Sequence, residues 1–180
     1  MLEKGLVQIY TGDGKGKTTA AFGIALRAAG QANKVLIYQF LKPSSIDTGE
    51  RFAVKLGAVR ICIEALEEGW DMAKSLHDTA EVEKVRHAVS QALAGLTETA
   101  EKRFYDVIIL DEIVFCYAKG LALFEDIKRL IDKRDKRVEI VLTGRGADER
   151  LLALADLVTE MKSVKHPFDK GEKARKGIEY

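Results

Sequence analysis

Short apolar runs alternate with amphipathic stretches along most of the chain, and this alternation is typical of βαβ units. The runs predict strands at 6–10, 35–41, 59–63, 107–112, 138–143 and 157–161. The run at 107–110 is uniformly aliphatic, as expected for a central strand that is buried on both faces. Strands of this order predict a mostly parallel sheet with a ligand at its carboxyl ends.

Between these runs, apolar residues recur every three or four positions, which predicts helices. The clearest are 17–30, which ends at Gly30, and a long helix that begins at Asp78, with Glu81 placed as its capping-box partner. Shorter helices are predicted at 51–56, 121–133 and 148–155. The segment 64–77 has no clear period, and we interpret it as a long functional loop or a broken helix. Helices between parallel strands cover both faces of the sheet, so the predicted class is α/β.

Length and charge exclude several classes of protein. The 180 residues suffice for one compact domain, which we expect to span 1–180 with a basic tail at 162–180. A net charge of +1 argues against a general nucleic-acid binder, because such binding needs a large basic excess. The longest aliphatic run, 107–110, is far shorter than the ~20 residues that cross a bilayer, so no membrane association is expected.

Cysteine and histidine usage gives no sign of a structural metal or a disulfide framework. Cys62 and Cys116 lie far apart without CxxC spacing, which favours a reducing, cytoplasmic location. We interpret Cys116 as a buried packing residue. The histidines show no HxxxH or HExxH spacing, so structural or surface roles are favoured for them.

A glycine-rich segment joins the first strand to the first helix, where a phosphate-binding loop belongs. It reads Gly12, Asp13, Gly14, Lys15, Gly16, Lys17, Thr18, Thr19. Alternate glycines let successive amides turn around an anion, and the following helix directs its N-terminal amides to the same place. Lys17 adds a charge for the β- or γ-phosphate, and the Thr18 hydroxyl can bind Mg²⁺. The strict pattern needs glycine where the chain has Thr11, so the loop is a variant; the alternative is a simple glycine-rich turn.

Two carboxylates follow the aliphatic strand and resemble a Walker B segment. Asp111 and Glu112 come directly after the run at 107–110. A carboxylate pair beside a buried strand is costly without a cation or hydrogen-bond donors. At least one of the two is therefore predicted to bind the metal, although either could instead cap the next segment.

An arginine follows the predicted fifth strand, at the same edge of the sheet as these two motifs. Arg145 lies in the segment Thr143-Gly144-Arg145-Gly146. Its guanidinium could contact phosphate oxygens in a fork geometry that lysine cannot offer. The alternative is a solvated loop arginine.

Together these motifs resemble one family, the P-loop ATP:corrinoid adenosyltransferases. The resemblance rests on the glycine-rich loop, on the acidic pair and on several late blocks of sequence, and it covers nearly the whole chain. The late blocks are Thr143 to Gly146, Ala155 to Met161, Val164 to Phe168 and Lys176 to Tyr180.

The resemblance implies a RecA-like fold, usually in a homodimer, and the transfer of the 5′-deoxyadenosyl group of ATP to the cobalt of a reduced corrinoid. The leaving group would be triphosphate, and an electron donor would be needed to reduce the cobalt. The family pattern places phosphate binding on Gly12 to Thr19 and the Mg²⁺ ligands on Thr18 and Glu112. Lys17 and Glu112 would then carry the catalytic electrostatics.

The middle of the chain departs from the family pattern, which usually shows a Gly-Phe-Thr-Trp block. Here Trp70 follows Glu67-Glu68-Gly69 with no phenylalanine before it. Two interpretations of Trp70 follow: it stands in for the aromatic wall that keeps water from the lower face of cobalt, or it packs on the long helix. The departure keeps open the alternative of an ATP-binding regulatory protein without turnover. A P-loop ATPase or small-molecule kinase is a further alternative, because Glu112 next to Asp111 could orient a water molecule.

Overall fold

The computed structural model describes residues 2–57, 60–67 and 78–178. Within these ranges six parallel strands form one sheet, in the order β3-β2-β4-β5-β1-β6. The strands are β1 (Val7–Thr11), β2 (Val35–Gln39), β3 (Ile61–Ala65), β4 (Val107–Asp111), β5 (Glu139–Thr143) and β6 (Leu157–Glu160). The predicted parallel α/β fold is thereby confirmed.

Helices connect these strands. They are α1 (Lys17–Gly30), α2 (Gly49–Leu56), α3 (Thr79–Glu101), α4 (Ile113–Ala118), α5 (Phe124–Lys133) and α6 (Glu149–Leu152), followed by a short 3₁₀ turn at Pro167–Lys170. The predicted bounds of α1 are confirmed. The predicted start of α3 is confirmed by its cap, because the Asp78 carboxylate accepts hydrogen bonds from the N–H groups of Ala80 and Glu81 at 2.9 and 3.4 Å.

Side chains alternate between the two faces of the sheet and build a core on each. On one face, Ala21 and Ala25 of α1 pack with residues such as Ile37 and Ile109. On the other, the adjacent strand positions pack with α3, α4 and α5. This alternation explains why β4 is uniformly aliphatic, since each of its faces meets a layer of helices.

The order of the strands brings distant parts of the chain to one edge. Strand β5 pairs with both β1 and β4, so the ends of these three strands lie side by side. Strand β4 pairs with β5 on one side and with β2 on the other, and Gln39 of β2 lies opposite Asp111 of β4 in register. The loops after β1, β2, β4 and β5 therefore share the carboxyl edge, where parallel α/β sheets bind ligands.

Several local predictions differ from the structure; α2 begins at Gly49 rather than at residue 51, and α6 ends at Leu152 rather than at residue 155. Helix α4 occupies a segment for which no element was predicted, because the run Ile113-Val114-Phe115 has no recognisable helical start; its cap, Glu112, has a positive φ of 66°. Strand β3 extends through Ala65 into the segment interpreted as a loop. Helix α5 begins at Phe124 rather than at residue 121. No helix in the described ranges has both the length and the apolar character needed to cross a membrane.

Candidate active site

The glycine-rich loop between β1 and α1 requires glycine at specific places. Gly12 and Gly16 have φ values of 94° and 113°, a region that other residues rarely adopt. A Cβ on Gly12 would also lie 2.4 Å from the carbonyl oxygen of Met161. The Gly14 N–H donates to that same oxygen at 2.7 Å, and the Met161 N–H donates to the Thr11 carbonyl at 2.8 Å. The loop is thus held against the end of β6, and the Gly14 amide is used by the protein itself.

Lys17 folds back over the loop. Its Nζ donates to the carbonyl oxygens of Gly12 and Gly14, each at 2.7 Å, and the residue is 6% exposed. Burial lowers the pKa of Lys17, and the positive charge of Arg145 lowers it further, while Glu112 and Asp13 act in the opposite direction. Arg145 and Glu112 are thus close enough to Lys17 for their charges to act on its ammonium group.

Asp111 lies at the centre of a hydrogen-bond network and is only 1% exposed. Among the described residues, four side chains donate to its carboxylate. Thr18 and Thr143 donate to Oδ1, each at 2.8 Å, and Gln39 and Lys42 donate to Oδ2 at 3.3 and 3.1 Å. These donors offset the cost of burying the charge. Asp111 therefore joins the ends of β2, β4 and β5 to the first turn of α1.

Glu112 has a different environment from its neighbour. Its left-handed backbone conformation turns the chain at the end of β4, and its N–H donates to Thr143 Oγ1 at 2.9 Å. Unlike Asp111, it borders the cavity described below. Burial raises the pKa of Glu112, the adjacent Asp111 carboxylate raises it further, and the cations Lys42 and Lys17 oppose the shift.

A cavity of about 630 Å³ opens at this edge of the sheet. Most of the predicted site residues border it, namely Asp13, Gly14, Lys15, Gly16, Lys17, Thr18, Thr19, Glu112 and Arg145. Gly12 and Asp111 do not border the cavity themselves, but Gly12 accepts a hydrogen bond from Lys17 and Asp111 accepts one from Thr18. The structure therefore brings all of them together except Trp70, which lies outside the described residues.

The basic tail forms part of the cavity wall. His166, Gly177 and Ile178 border it, and Lys15 Nζ donates to the carbonyl oxygen of Ile178 at 3.2 Å. His166 Nδ1 accepts from the Phe168 N–H at 3.1 Å at the start of the 3₁₀ turn. The segment after β6 thus lies over the glycine-rich loop.

Sequence reasoning missed Gln39 and Lys42 and gave no separate role to Thr143. All three lie at or just after the carboxyl end of a strand. Gln39 is a polar residue inside the apolar run at 35–41, which is a signal the sequence does contain. Its significance depends on the pairing of β2 with β4, which sequence reasoning did not provide.

The Thr18 hydroxyl and the Glu112 carboxylate at the end of β4 suit a hard cation that takes its remaining ligands from the phosphates of a bound polyanion. No three His, Cys, Asp or Glu side chains in the described ranges are grouped to hold a metal unaided. Instead, the Thr18 hydroxyl and the Glu112 carboxylate border the same cavity, and Asp111 bonds to Thr18. Oxygen donors of this kind are the ligands that Mg²⁺ takes together with substrate phosphates.

Comparison with known proteins identifies the family. A family model described as ATP:corrinoid adenosyltransferase BtuR/CobO/CobP matches residues 3–180. The chain belongs to this family. The resemblance inferred from the motifs is thereby confirmed, and it places the chain among transferases.

Curated relatives agree with this assignment. A corrinoid adenosyltransferase of Escherichia coli strain K12 is 36% identical over 178 residues, which cover 99% of this chain and 87% of the relative. Corrinoid adenosyltransferase CobA of Salmonella typhimurium is 35% identical with the same coverage. A corrinoid adenosyltransferase of Pseudomonas aeruginosa is 32% identical over 99% of this chain and 85% of its own length.

Proposed function

We propose that this protein transfers the 5′-deoxyadenosyl group of ATP to the cobalt of a reduced corrinoid and releases triphosphate. The observation that carries the proposal is the single cavity in which the glycine-rich loop, Lys17, Arg145 and Glu112 meet, in a chain that the family model matches almost throughout.

The chemistry requires placement and charge stabilisation more than proton transfer. The cobalt(I) electron pair forms the Co–C5′ bond, the C5′–O bond breaks, and its electrons pass to the triphosphate oxygen. No water or hydroxyl has to be activated. The protein must hold C5′ in line with the cobalt and stabilise the charge that grows on the leaving group.

We assign the phosphate-binding role to the loop from Gly12 to Thr19, with Lys17 and Arg145 as the main cationic side chains. Lys17 donates to the carbonyls of Gly12 and Gly14, and we expect its ammonium to exchange these contacts for phosphate oxygens when ATP binds. Charge-assisted hydrogen bonds to phosphate are stronger than those to neutral carbonyls, which favours the exchange.

We assign Mg²⁺ binding to Thr18 and Glu112, and we assign to Asp111 the orientation of Thr18. When bound, the ion would neutralise charge on the triphosphate. Asp111 accepts hydrogen bonds from four described side chains, whereas Glu112 borders the cavity and carries a raised pKa that a cation would relieve. Asp111 would orient the Thr18 hydroxyl through their direct hydrogen bond.

Other parts of the proposal extend beyond the described geometry. Trp70 is proposed to contact the corrinoid and keep water from the lower cobalt face, and a separate electron donor is proposed to reduce the cobalt.

We also propose one domain over 1–180, with 162–180 as a tail that covers the nucleotide. We propose that the protein is a homodimer and that it is located in the cytoplasm. Both cysteines are free thiols in the described part of the chain, consistent with a reducing compartment.

The product pool tests the proposed function. Purified protein with ATP, Mg²⁺ and chemically reduced cobalamin should give a light-sensitive adenosylated corrinoid and one triphosphate for each product. Release of orthophosphate, or phosphorylation of a small molecule, would instead indicate an ATPase or a kinase. ATP binding with no conversion of cobalamin or of a corrinoid precursor would indicate a regulatory nucleotide-binding protein.

A further inference from the structure

Lys42 is a cation in the cavity wall for which the motifs give no role. It follows β2, and its Nζ donates to Asp111 Oδ2 at 3.1 Å. The Lys42 side chain is 29% exposed, whereas that of Asp111 is 1% exposed, so the ammonium lies between the buried carboxylate and the cavity. An ammonium has three N–H donors, and the bond to Asp111 uses one. Lys42 can therefore contact Asp111 and an anion in the cavity together.

Arg51 of α2 holds the segment that carries Lys42. Its NH2 group donates to the Lys42 carbonyl oxygen, and its NH1 group donates to the carbonyls of Pro43 and Ile46 at 2.8 and 2.9 Å. The planar guanidinium thus joins three carbonyls of the loop between β2 and α2. Lysine cannot reproduce this arrangement, because its single nitrogen lacks the fork of donors.

Arg51 also determines how Gln39 meets Asp111. Arg51 Nε donates to Gln39 Oε1 at 2.9 Å, which leaves the amide nitrogen of Gln39 to face Asp111 Oδ2 at 3.3 Å. Asp111 consequently retains hydrogen bonds from Gln39, Thr18 and Thr143 if the ammonium of Lys42 moves toward a ligand. These three donors continue to provide hydrogen bonds to the buried Asp111 carboxylate when Lys42 no longer contacts it.

We propose that Lys42 is a further phosphate-binding residue of this site and that Arg51 is its positioning residue. The inference rests on the proposed function, because the anion is taken to be the triphosphate of ATP. Lys42 would approach the phosphates from the β2 side of the cavity, whereas Lys17 approaches from the loop after β1. Two ammonium groups from different segments of the chain would share the charge that develops on the leaving triphosphate.

The first experiment measures binding of inorganic tripolyphosphate with Mg²⁺ by calorimetry, since this probe lacks the nucleoside and the corrinoid. Lys42→Met should weaken tripolyphosphate binding about 10- to 100-fold, the loss expected for a charge-assisted hydrogen bond. Lys55→Met is the matched control, because it removes the same charge from an exposed position on α2 and should bind as the wild type does.

A role for Lys42 as counter-ion to Asp111 alone predicts a different outcome. Lys42→Met would then lower the melting temperature and bind tripolyphosphate as tightly as Lys55→Met, and that result would overturn the proposal. Lys42→Gln offers an N–H donor to Asp111 without the charge and covers the case in which the methionine variant does not fold. It should show the same loss of tripolyphosphate affinity.

The second experiment tests whether Arg51 acts through Lys42. Arg51→Lys should weaken tripolyphosphate binding, but the double variant Arg51→Lys with Lys42→Met should bind no more weakly than Lys42→Met alone. Such non-additivity is expected of residues that act through one contact. Independent losses that add in the double variant would reject the positioning role of Arg51.

Failure of this inference and failure of the proposed function can be told apart. If the wild type binds tripolyphosphate but forms no adenosylated corrinoid, the proposed function is wrong, and the titrations still decide the role of Lys42. If the wild type forms the product and Lys42→Met binds tripolyphosphate like the control, only the role of Lys42 is wrong.

Discussion

The Thr18 hydroxyl donates a hydrogen bond of 2.8 Å to Asp111 Oδ1, although the two residues are 93 positions apart. A hydroxyl has one hydrogen and two lone pairs, so donation to Asp111 directs the lone pairs of Thr18 away from that carboxylate. This contact connects the first turn of α1 to the end of β4. It orients the Thr18 oxygen for the role of cation ligand that we propose for it.

Lys17→Ala should abolish productive ATP binding, because the triphosphate would lose its main counter-charge in a partly buried site. We expect the affinity for MgATP to fall about 100-fold or more, measured by calorimetry. Lys34→Ala, at an exposed position before β2, is the control and should bind normally. Near-normal turnover of Lys17→Ala would refute the assignment of the loop.

Asp111→Asn and Glu112→Gln should separate a stabilising role from a ligand-binding role. Asp111 accepts four hydrogen bonds while buried, so its amide variant should lose about 3 kcal/mol of unfolding free energy in urea. Glu112→Gln should stay within about 1 kcal/mol of the wild type, yet lose Mg²⁺-dependent transfer. Equal destabilisation by the two substitutions would contradict this division of roles.

Trp70→Ala should impair corrinoid conversion and leave ATP affinity unchanged, if the aromatic ring contacts the corrinoid as proposed. Steady-state kinetics with each substrate varied in turn would measure the two effects. Trp70→Phe keeps an aromatic surface and should retain most of the activity. A fall in ATP affinity with unchanged corrinoid kinetics would assign Trp70 to the core instead.

The stability contributed by Asp106 should depend on pH. Burial by itself would raise the pKa of this carboxyl, but hydrogen bonds from the Lys34 N–H at 3.0 Å and from Arg103 at 2.8 Å outweigh it and lower the pKa below 3.8. A carboxyl with a lowered pKa in the folded state stabilises the protein above the unfolded value and loses this contribution as pH falls through the folded value.

Asp106→Asn should therefore lower the unfolding free energy at pH 7 by about 2 kcal/mol. The difference from the wild type should shrink as the pH falls below 3.8 toward the lowered pKa of the folded carboxyl, where that carboxyl becomes protonated. Denaturant unfolding at several pH values measures this, with Asp47→Asn as an exposed control. A difference that does not change with pH would show that the charge of Asp106 is unimportant.

The parts of the site that depend on residues adjacent in the sequence could be predicted from the sequence. The loop from Gly12 to Thr19, the start of α1 and the acidic pair after β4 each rest on local physics: glycines for a tight turn, amides at a helix N-terminus, and carboxylates after an aliphatic run. The alternation of apolar runs and amphipathic segments was likewise enough for the parallel α/β class, because side-chain periodicity is a local property.

Tertiary structure alone decided which of these local features meet. Gln39, Lys42 and Thr143 contact Asp111 because β2 and β5 flank β4, and nothing within any one strand encodes that order. The same pairing made Asp111 a buried acceptor and left Glu112 at the cavity, a distinction between adjacent carboxylates that the sequence left open. Contacts between residues far apart in the chain depend on how whole elements pack, so local patterns could predict which segments border this cavity but not the complete set of contacts there.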